Sequence, residues 1–250
     1  MSVWENSIAV PFDGRTSKPR TQGYTMVLDS GLGLASANDM VSTAGDYIDN
    51  VQFTFGSSVL YPDGVLEEKI ELFRSANIGL TPGGGLLQVA IWQGKQKEFL
   101  KRAKILGFST VELFDSMLNL DAAARERVVK SALDEGFEVI TEVLRSPTGN
   151  DEMHKTIALD LKAGAAMVIV PFVEGEVEDM LAGNAGVQDL LWEPPATESE
   201  RHLADVLVRC GGNANVILRD PSAIISLETL RVGLKGRTMA EAHRERPVWD

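Results

Sequence analysis

A chain of 250 residues that is 44% hydrophobic and 24% charged can bury one large core, and its composition excludes collagen, coiled coil and extended disorder. Its 36 acidic and 24 basic residues give a formal charge of −12, which argues against nucleic acid, because phosphate-backbone binding draws on Lys and Arg that displace counterions. The longest apolar run, Ala163 to Val173, falls short of the roughly 18 residues that cross a bilayer, so no membrane partner is expected.

In chain order, Met1 to Arg20 fits no repeating unit and lacks the basic start and apolar stretch of an export signal. It reads as an N-terminal arm (1–20) that covers one mouth of the fold or reaches a neighbouring subunit of a homo-oligomer. From 21 to 236 a short apolar run followed by an amphipathic segment recurs eight times. The strands are expected at Tyr24 to Asp29, Tyr47 to Phe53, Ile78 to Pro82, Thr110 to Phe114, Glu138 to Val143, Met167 to Phe172, Leu190 to Glu193 and Asn215 to Arg219. The helices are expected at Ala35 to Ala44, Glu67 to Ala76, Leu86 to Leu106, Asp121 to Glu135, Asp151 to Ala163, Val177 to Leu181, Glu198 to Cys210 and Ser222 to Leu234. Gly45, Gly107, Gly136, Gly164 and Gly211 stand where left-handed C-caps fall, and Asp121 and Ser222 are N-cap candidates. Eight such units at this length predict an α/β fold, a (β/α)₈ TIM barrel; a doubly wound open sheet usually has fewer strands. Arg237 to Asp250 reads as a polar surface tail (237–250).

In such a barrel the working groups sit at the C-terminal ends of the strands. Asp29, Glu112, Glu142 and Glu193 fall there. Glutamate within TVELF, ITEVL and LLWEP is costly unless it is paired or bound to a cation. Glu112, Glu142 and Glu193 are therefore candidates for proton handling, and together with Asp29 for holding Mg²⁺ or, second, Mn²⁺; salt bridges to neighbouring cations would satisfy each of them equally well. The run Gly83-Gly84-Gly85 after the third strand suits a phosphate or simply a tight turn. Lys18, Arg20, Arg145 and Arg219 are candidate anion-binding cations, with Arg219 free in principle to neutralise Glu193 instead. Together these features point to a small anionic substrate. His154, His202 and His243 lack metal-ligand spacing, and the lone cysteine, Cys210, reads as core and fits a reducing, cytoplasmic setting.

The segments KPRTQGYTMVLDSGLG, AGDYIDNVQFTFGSS, EKIELF, TPGGGL, LGFSTVELFD, EGFEVITEV, LKAGAAMVIV, WEPP and SLETLRVGLKG, in this order from Lys18 to about Thr238, resemble the phosphosulfolactate synthase family. The resemblance implies a (β/α)₈ barrel and Mg²⁺-dependent addition of sulfite to phosphoenolpyruvate, on a route to sulfonates. It extends to a plant heat-stress-associated branch. Asp29, Glu112, Glu142, Glu193 and Asn215 match the family pattern. Asp29 to Leu32, Gln52 to Ser58, Thr141 to Ser146 and Pro171 to Glu176 stand where the family usually reads D-K-G-L, K-F-G-W-G-T-S, T-E-V-G-K-K and E-G-R-E-S-G, so three lysines and an arginine are missing, with Arg145 as the one conservative replacement; Arg219 brings a cation where the family is usually uncharged. These departures point to a carbon–heteroatom or carbon–carbon bond-forming lyase with altered substrates, bound through Arg219, the glycine run, Lys18, Arg20, Gln52 and Asn215, with Glu112, Glu142, Glu193 and Arg145 catalytic. The family's own reaction is the first alternative. A non-catalytic, stress-related or scaffolding barrel is the second.

Overall fold

The computed structural model describes residues 4, 7–12, 15–145, 150–173, 175–182, 186–197 and 199–235. Strands and helices alternate: β1 (Thr25–Asp29), α1 (Leu34–Ala44), β2 (Asn50–Phe53), α2 (Val65–Ser75), β3 (Gly79–Thr81), α3 (Gly84–Trp92), α4 (Gln96–Leu106), β4 (Thr110–Leu113), α5 (Ala122–Asp134), β5 (Glu138–Glu142), α6 (Asn150–Ala163), β6 (Met167–Pro171), α7 (Val177–Ala182), β7 (Leu190–Glu193), α8 (Glu200–Cys210), β8 (Asn215–Leu218) and α9 (Ile224–Arg231). The parallel strands run in the order β3-β2-β1-β8-β7-β6-β5-β4. This is a nearly closed (β/α)₈ barrel. At the seam between β3 and β4 the Ser109 N–H donates to the Leu80 carbonyl at 3.1 Å, and the Leu80 N–H donates to Ser109 Oγ at 3.0 Å.

Where expected boundaries fail, local geometry gives the reason. The long third helix breaks into α3 and α4 because Gly94 takes φ +68°. The second strand starts at Asn50, since Gly45 to Tyr47 tighten into a 3₁₀ turn in which Gly45 is right-handed, φ −55°, and not a left-handed cap. Gly107, Gly136, Gly164 and Gly211 do have positive φ. Asp121 caps α5 through Ala124 N–H. Ser222 is not a cap: its own N–H is received by Asp220 at 2.9 Å in the Pro221–Ala223 turn that precedes α9.

Strand parity sorts the side chains into two sets. Val27, Val51, Phe53, Val111, Leu113, Val139, Val168, Trp192 and Val216 pack outward against the helices, whereas Met26, Leu28, Ile140, Met167, Ile169, Leu191 and Ile217 fill the barrel. Asp29 keeps the outward parity of Val27. It therefore meets not the barrel interior but Lys69 of α2, in an ion pair with both side chains at 0% exposure. Asp29 Oδ1 also accepts the N–H groups of Gly31 and Leu32 at 2.9 and 2.8 Å, and Lys69 Nζ donates to the Leu32 carbonyl at 2.8 Å and to Tyr61 Oη at 3.0 Å.

The arm closes the N-terminal end of the barrel. Lys18 Nζ donates to four carbonyls, those of Gly45, Ile48, Ala76 and Asn77, at 2.9 to 3.2 Å. Arg20 binds Asp49 at 3.0 Å, and Arg15 forks onto Glu228 at 2.8 and 2.9 Å. The expected surface tail, 237–250, lies outside the described residues.

The buried Asp29–Lys69 pair gives the first prediction. Lys69→Met leaves a charge uncompensated inside the protein and costs about 3 kcal/mol or more, read as a fall in urea midpoint. The double variant Asp29→Asn/Lys69→Met recovers most of that loss, because no buried charge is then left unpaired.

Candidate active site

Inward parity brings three glutamates to the C-terminal mouth, Glu112 from the middle of β4 and Glu142 and Glu193 from the last positions of β5 and β7. Glu112 is 4% exposed. Its carboxylate lies against Gly84, where a Cβ would come within 2.5 Å of Glu112 Oε1, and it accepts a hydrogen bond from the Gly84 backbone. The bare glycine thus makes room for a carboxylate at the start of α3, a place where an anion is favoured. Gly83, at φ +95°, is required by the Phe53 carbonyl, 2.3 Å from where its Cβ would stand. Gly85 faces open space.

Glu112 Oε2 is buried and has no hydrogen-bond partner among the described residues. The Glu142 carboxyl beside it can hydrogen-bond to Glu112 only with a proton between them. Burial first, then repulsion from Glu142 and Glu193, raises Glu112 well above the usual carboxylate range. Burial and Glu193 push Glu142 up to about 7. Glu193 is raised by burial but held down by Arg219, whose Nη2 donates to Glu193 Oε1 at 2.5 Å.

The other expected site residues separate clearly. Gln52 points inward from β2 and is buried near the mouth. Arg145 stands at the rim with its guanidinium exposed and paired to Glu176, not directed into the chamber. Lys18, Arg20 and Asn215 are at the opposite end, because the loops and strand starts that hold them lead into the barrel. Asn215 is occupied there by the Tyr24 N–H and the Gln188 and Leu190 carbonyls at 2.9 to 3.2 Å. The cavity beneath the arm, about 930 Å³, is lined by Lys18, Arg20 and Tyr24, but both cations are bound to the protein's own acceptors. Asp29 is outside the barrel with Lys69 and does not join the three glutamates.

Two supporting residues carried no signal in the sequence beyond helix periodicity. Arg125 of α5 grips Asp160 at 3.1 and 2.5 Å and donates to the Glu142 carbonyl at 3.3 Å, holding the end of β5 from behind. Gln88 of α3 accepts the Ser116 and Met117 N–H groups at 2.9 and 2.8 Å and fixes the loop after β4.

Residues 13–237 match the family described as (2R)-phospho-3-sulfolactate synthase (ComA). The chain belongs to that family. It is 34% identical to the phosphosulfolactate synthase of Methanocaldococcus jannaschii, over 88% of this chain and 95% of that one. It is 30% identical to the phosphosulfolactate synthase of Methanothermobacter thermautotrophicus, over 92% and 96% of the two chains. Among solved structures, 3-hexulose-6-phosphate synthase from Salmonella typhimurium superposes with a TM-score of 0.55 at 12% identity, over 84% of this chain and 98% of that one, a likeness of fold. The phosphosulfolactate synthase family is a family of carbon–sulfur bond-forming lyases. Among the described residues no group of three or more His, Cys, Asp or Glu side chains is placed to hold a metal ion.

The elevated Glu142 fixes the sign of a pH effect. A carboxyl whose folded pKa lies above its unfolded value contributes stability below about pH 4.5 that is lost as pH rises through about 7. Glu142→Gln is therefore expected to stabilise the fold at pH 8, on the order of 2 kcal/mol, and to leave it nearly unchanged at pH 4. Thermal unfolding at the two pH values checks this; an equal shift at both contradicts it.

Proposed function

We propose that this chain joins sulfite to phosphoenolpyruvate, giving phosphosulfolactate, at the C-terminal mouth of its barrel. What carries the reading is the chamber of Glu112, Glu142, Glu193 and Arg219, in a chain that matches relatives named for that product over 92% and 88% of its length. The replaced lysines favoured altered substrates; the relatives favour the family's own reaction. A small anionic substrate meets Arg219 at the rim of the chamber. The sulfur lone pair of sulfite forms the new bond to the methylene carbon, and the C=C pair moves toward the carboxylate as an enediolate. A proton must then reach the central carbon. Burial and mutual repulsion favour a protonated carboxyl in the Glu112–Glu142 pair, and Glu142, raised to about 7, is suited to proton transfer at neutral pH.

Carboxylates are the donors a hard divalent cation takes, but among the described residues no three acidic side chains are grouped to hold a metal ion, so binding one requires Glu112, Glu142 and Glu193 to draw together. Glu193 and the outer oxygens of the Glu112–Glu142 pair would hold Mg²⁺, or Mn²⁺, which would supply charge stabilisation for the enediolate. Among the described residues no helix is long and apolar enough to cross a membrane. A single cysteine, Cys210, gives the chain no internal disulfide to form, and on that ground a reducing, cytoplasmic setting is part of the proposal.

The test follows phosphoenolpyruvate by phosphorus NMR with the pure protein and Mg²⁺. Consumption is expected only when sulfite is added, and Glu112→Gln should slow it by about a hundredfold or more with the fold intact. Phosphoenolpyruvate that stabilises the protein yet is not consumed with sulfite would favour a different nucleophile. No consumption and no stabilisation by it or by other phosphorylated acids would favour a non-catalytic barrel. Either result defeats the proposal.

A further inference from the structure

Gln52 is the third residue of β2, has the inward parity that carries the glutamates into the mouth, and is 8% exposed. Its side-chain amide makes no hydrogen bond among the described residues. An amide can donate two hydrogen bonds and accept two, and leaving them unmade in a buried place carries a desolvation cost. Its neighbours in the same layer offer no remedy: Leu28 of β1 is apolar, and the Thr81 hydroxyl of β3 gives its proton to Asn50 Oδ1 at 2.9 Å. The amide is not sealed, since both of its polar atoms keep access to open space.

The strands on either side define what it faces. Asn50 Nδ2 donates to Thr110 Oγ1 at 3.1 Å, and Gln52 and Glu112 lie two residues beyond those partners on parallel strands. They therefore stand at one level of the barrel, flanking Thr81. Glu112 Oε2 is likewise without a hydrogen-bond partner among the described residues. A buried donor and a buried acceptor thus border the same part of the mouth, and the chain itself satisfies neither.

We infer that Gln52 is a specificity-determining residue whose N–H groups hold an anionic oxygen of the substrate beside Glu112. The inference rests on the reading of the chamber proposed above. A neutral amide suits this task in a mouth lined by carboxylates, because a lysine there would be drawn into an ion pair with one of them. The amide stays available. Its unmade hydrogen bonds weigh on the empty protein and are recovered on binding, so the stability of the free chain and its affinity for substrate depend on Gln52 in opposite senses.

Thermal unfolding with graded phosphoenolpyruvate, in one MgCl₂ buffer and without sulfite, tests this apart from turnover. Gln52→Met keeps the volume and removes the amide. It is expected to raise the Tm of the free chain by about 2 °C and to weaken phosphoenolpyruvate binding about tenfold or more. Gln52→Glu puts an acceptor of the same shape in place of the donor and should abolish the stabilisation by phosphoenolpyruvate. Equal affinity for phosphoenolpyruvate in Gln52→Met and the unaltered chain overturns the inference alone, with sulfite-dependent consumption untouched. A lower Tm for free Gln52→Met, the mark of a residue that merely holds the barrel together, overturns it as well, and so does unimpaired binding by Gln52→Glu. An unaltered chain that phosphoenolpyruvate does not stabilise defeats the proposed function and this inference together.

Discussion

Two carboxylates buried side by side cannot both remain ionised unless a proton or a cation lies between them. Glu112 and Glu142 impose that constraint on the mouth of the barrel, and much of the surrounding structure serves it. Gly84 lacks a side chain because the Glu112 carboxylate stands in its place. Arg125 and Asp160 hold the last residue of β5 from behind, and Gln88 fixes the loop that follows β4. The acidic pair is accordingly a source of instability near neutral pH that the rest of the core has to carry, a common condition where function and folding make opposed demands on the same residues.

The eight strand–helix units were legible in the sequence because buried parallel strands are short apolar runs and their helices are amphipathic. The outward placement of Asp29 was legible too, in principle. It lies two residues after Val27 on a strand of period two, and a residue that shares the parity of the helix-facing valines cannot also face the barrel centre. Glu112, Glu142 and Glu193 converge as their positions on three strands implied. What the sequence could not supply was the identity of their partners. Lys69 lies forty residues from Asp29 and Arg219 twenty-six from Glu193, and only closure of the sheet decides which distant cation meets which acid.

The cations of the arm show the same limit from the other side. Lys18 and Arg20 look like anion ligands by residue type, yet they terminate on backbone carbonyls and Asp49 at the end of the barrel where strands begin. There they satisfy acceptors of two connecting segments, α1–β2 and α2–β3, and bind the arm to the barrel floor. Position along the strand, not residue type, makes the division: Lys18 and Arg20 pair with acceptors at the floor, and Arg219 pairs with Glu193 at the opening. Asn215 belongs to the floor by the same rule, as the first residue of its strand.

The barrel is laced by strand pairing everywhere except between β3 and β4, where Ser109 reaches across to Leu80 through its backbone and its hydroxyl and the Asn50 side chain bridges Thr81 to Thr110. Glu112 rises from one lip of that gap, and Gly84, which touches it, follows the other. The wall that sets the width of the acidic chamber is therefore the one with the fewest rungs. A change in spacing between its lips would reach first the glutamate that rises from one of them and touches Gly84 beyond the other.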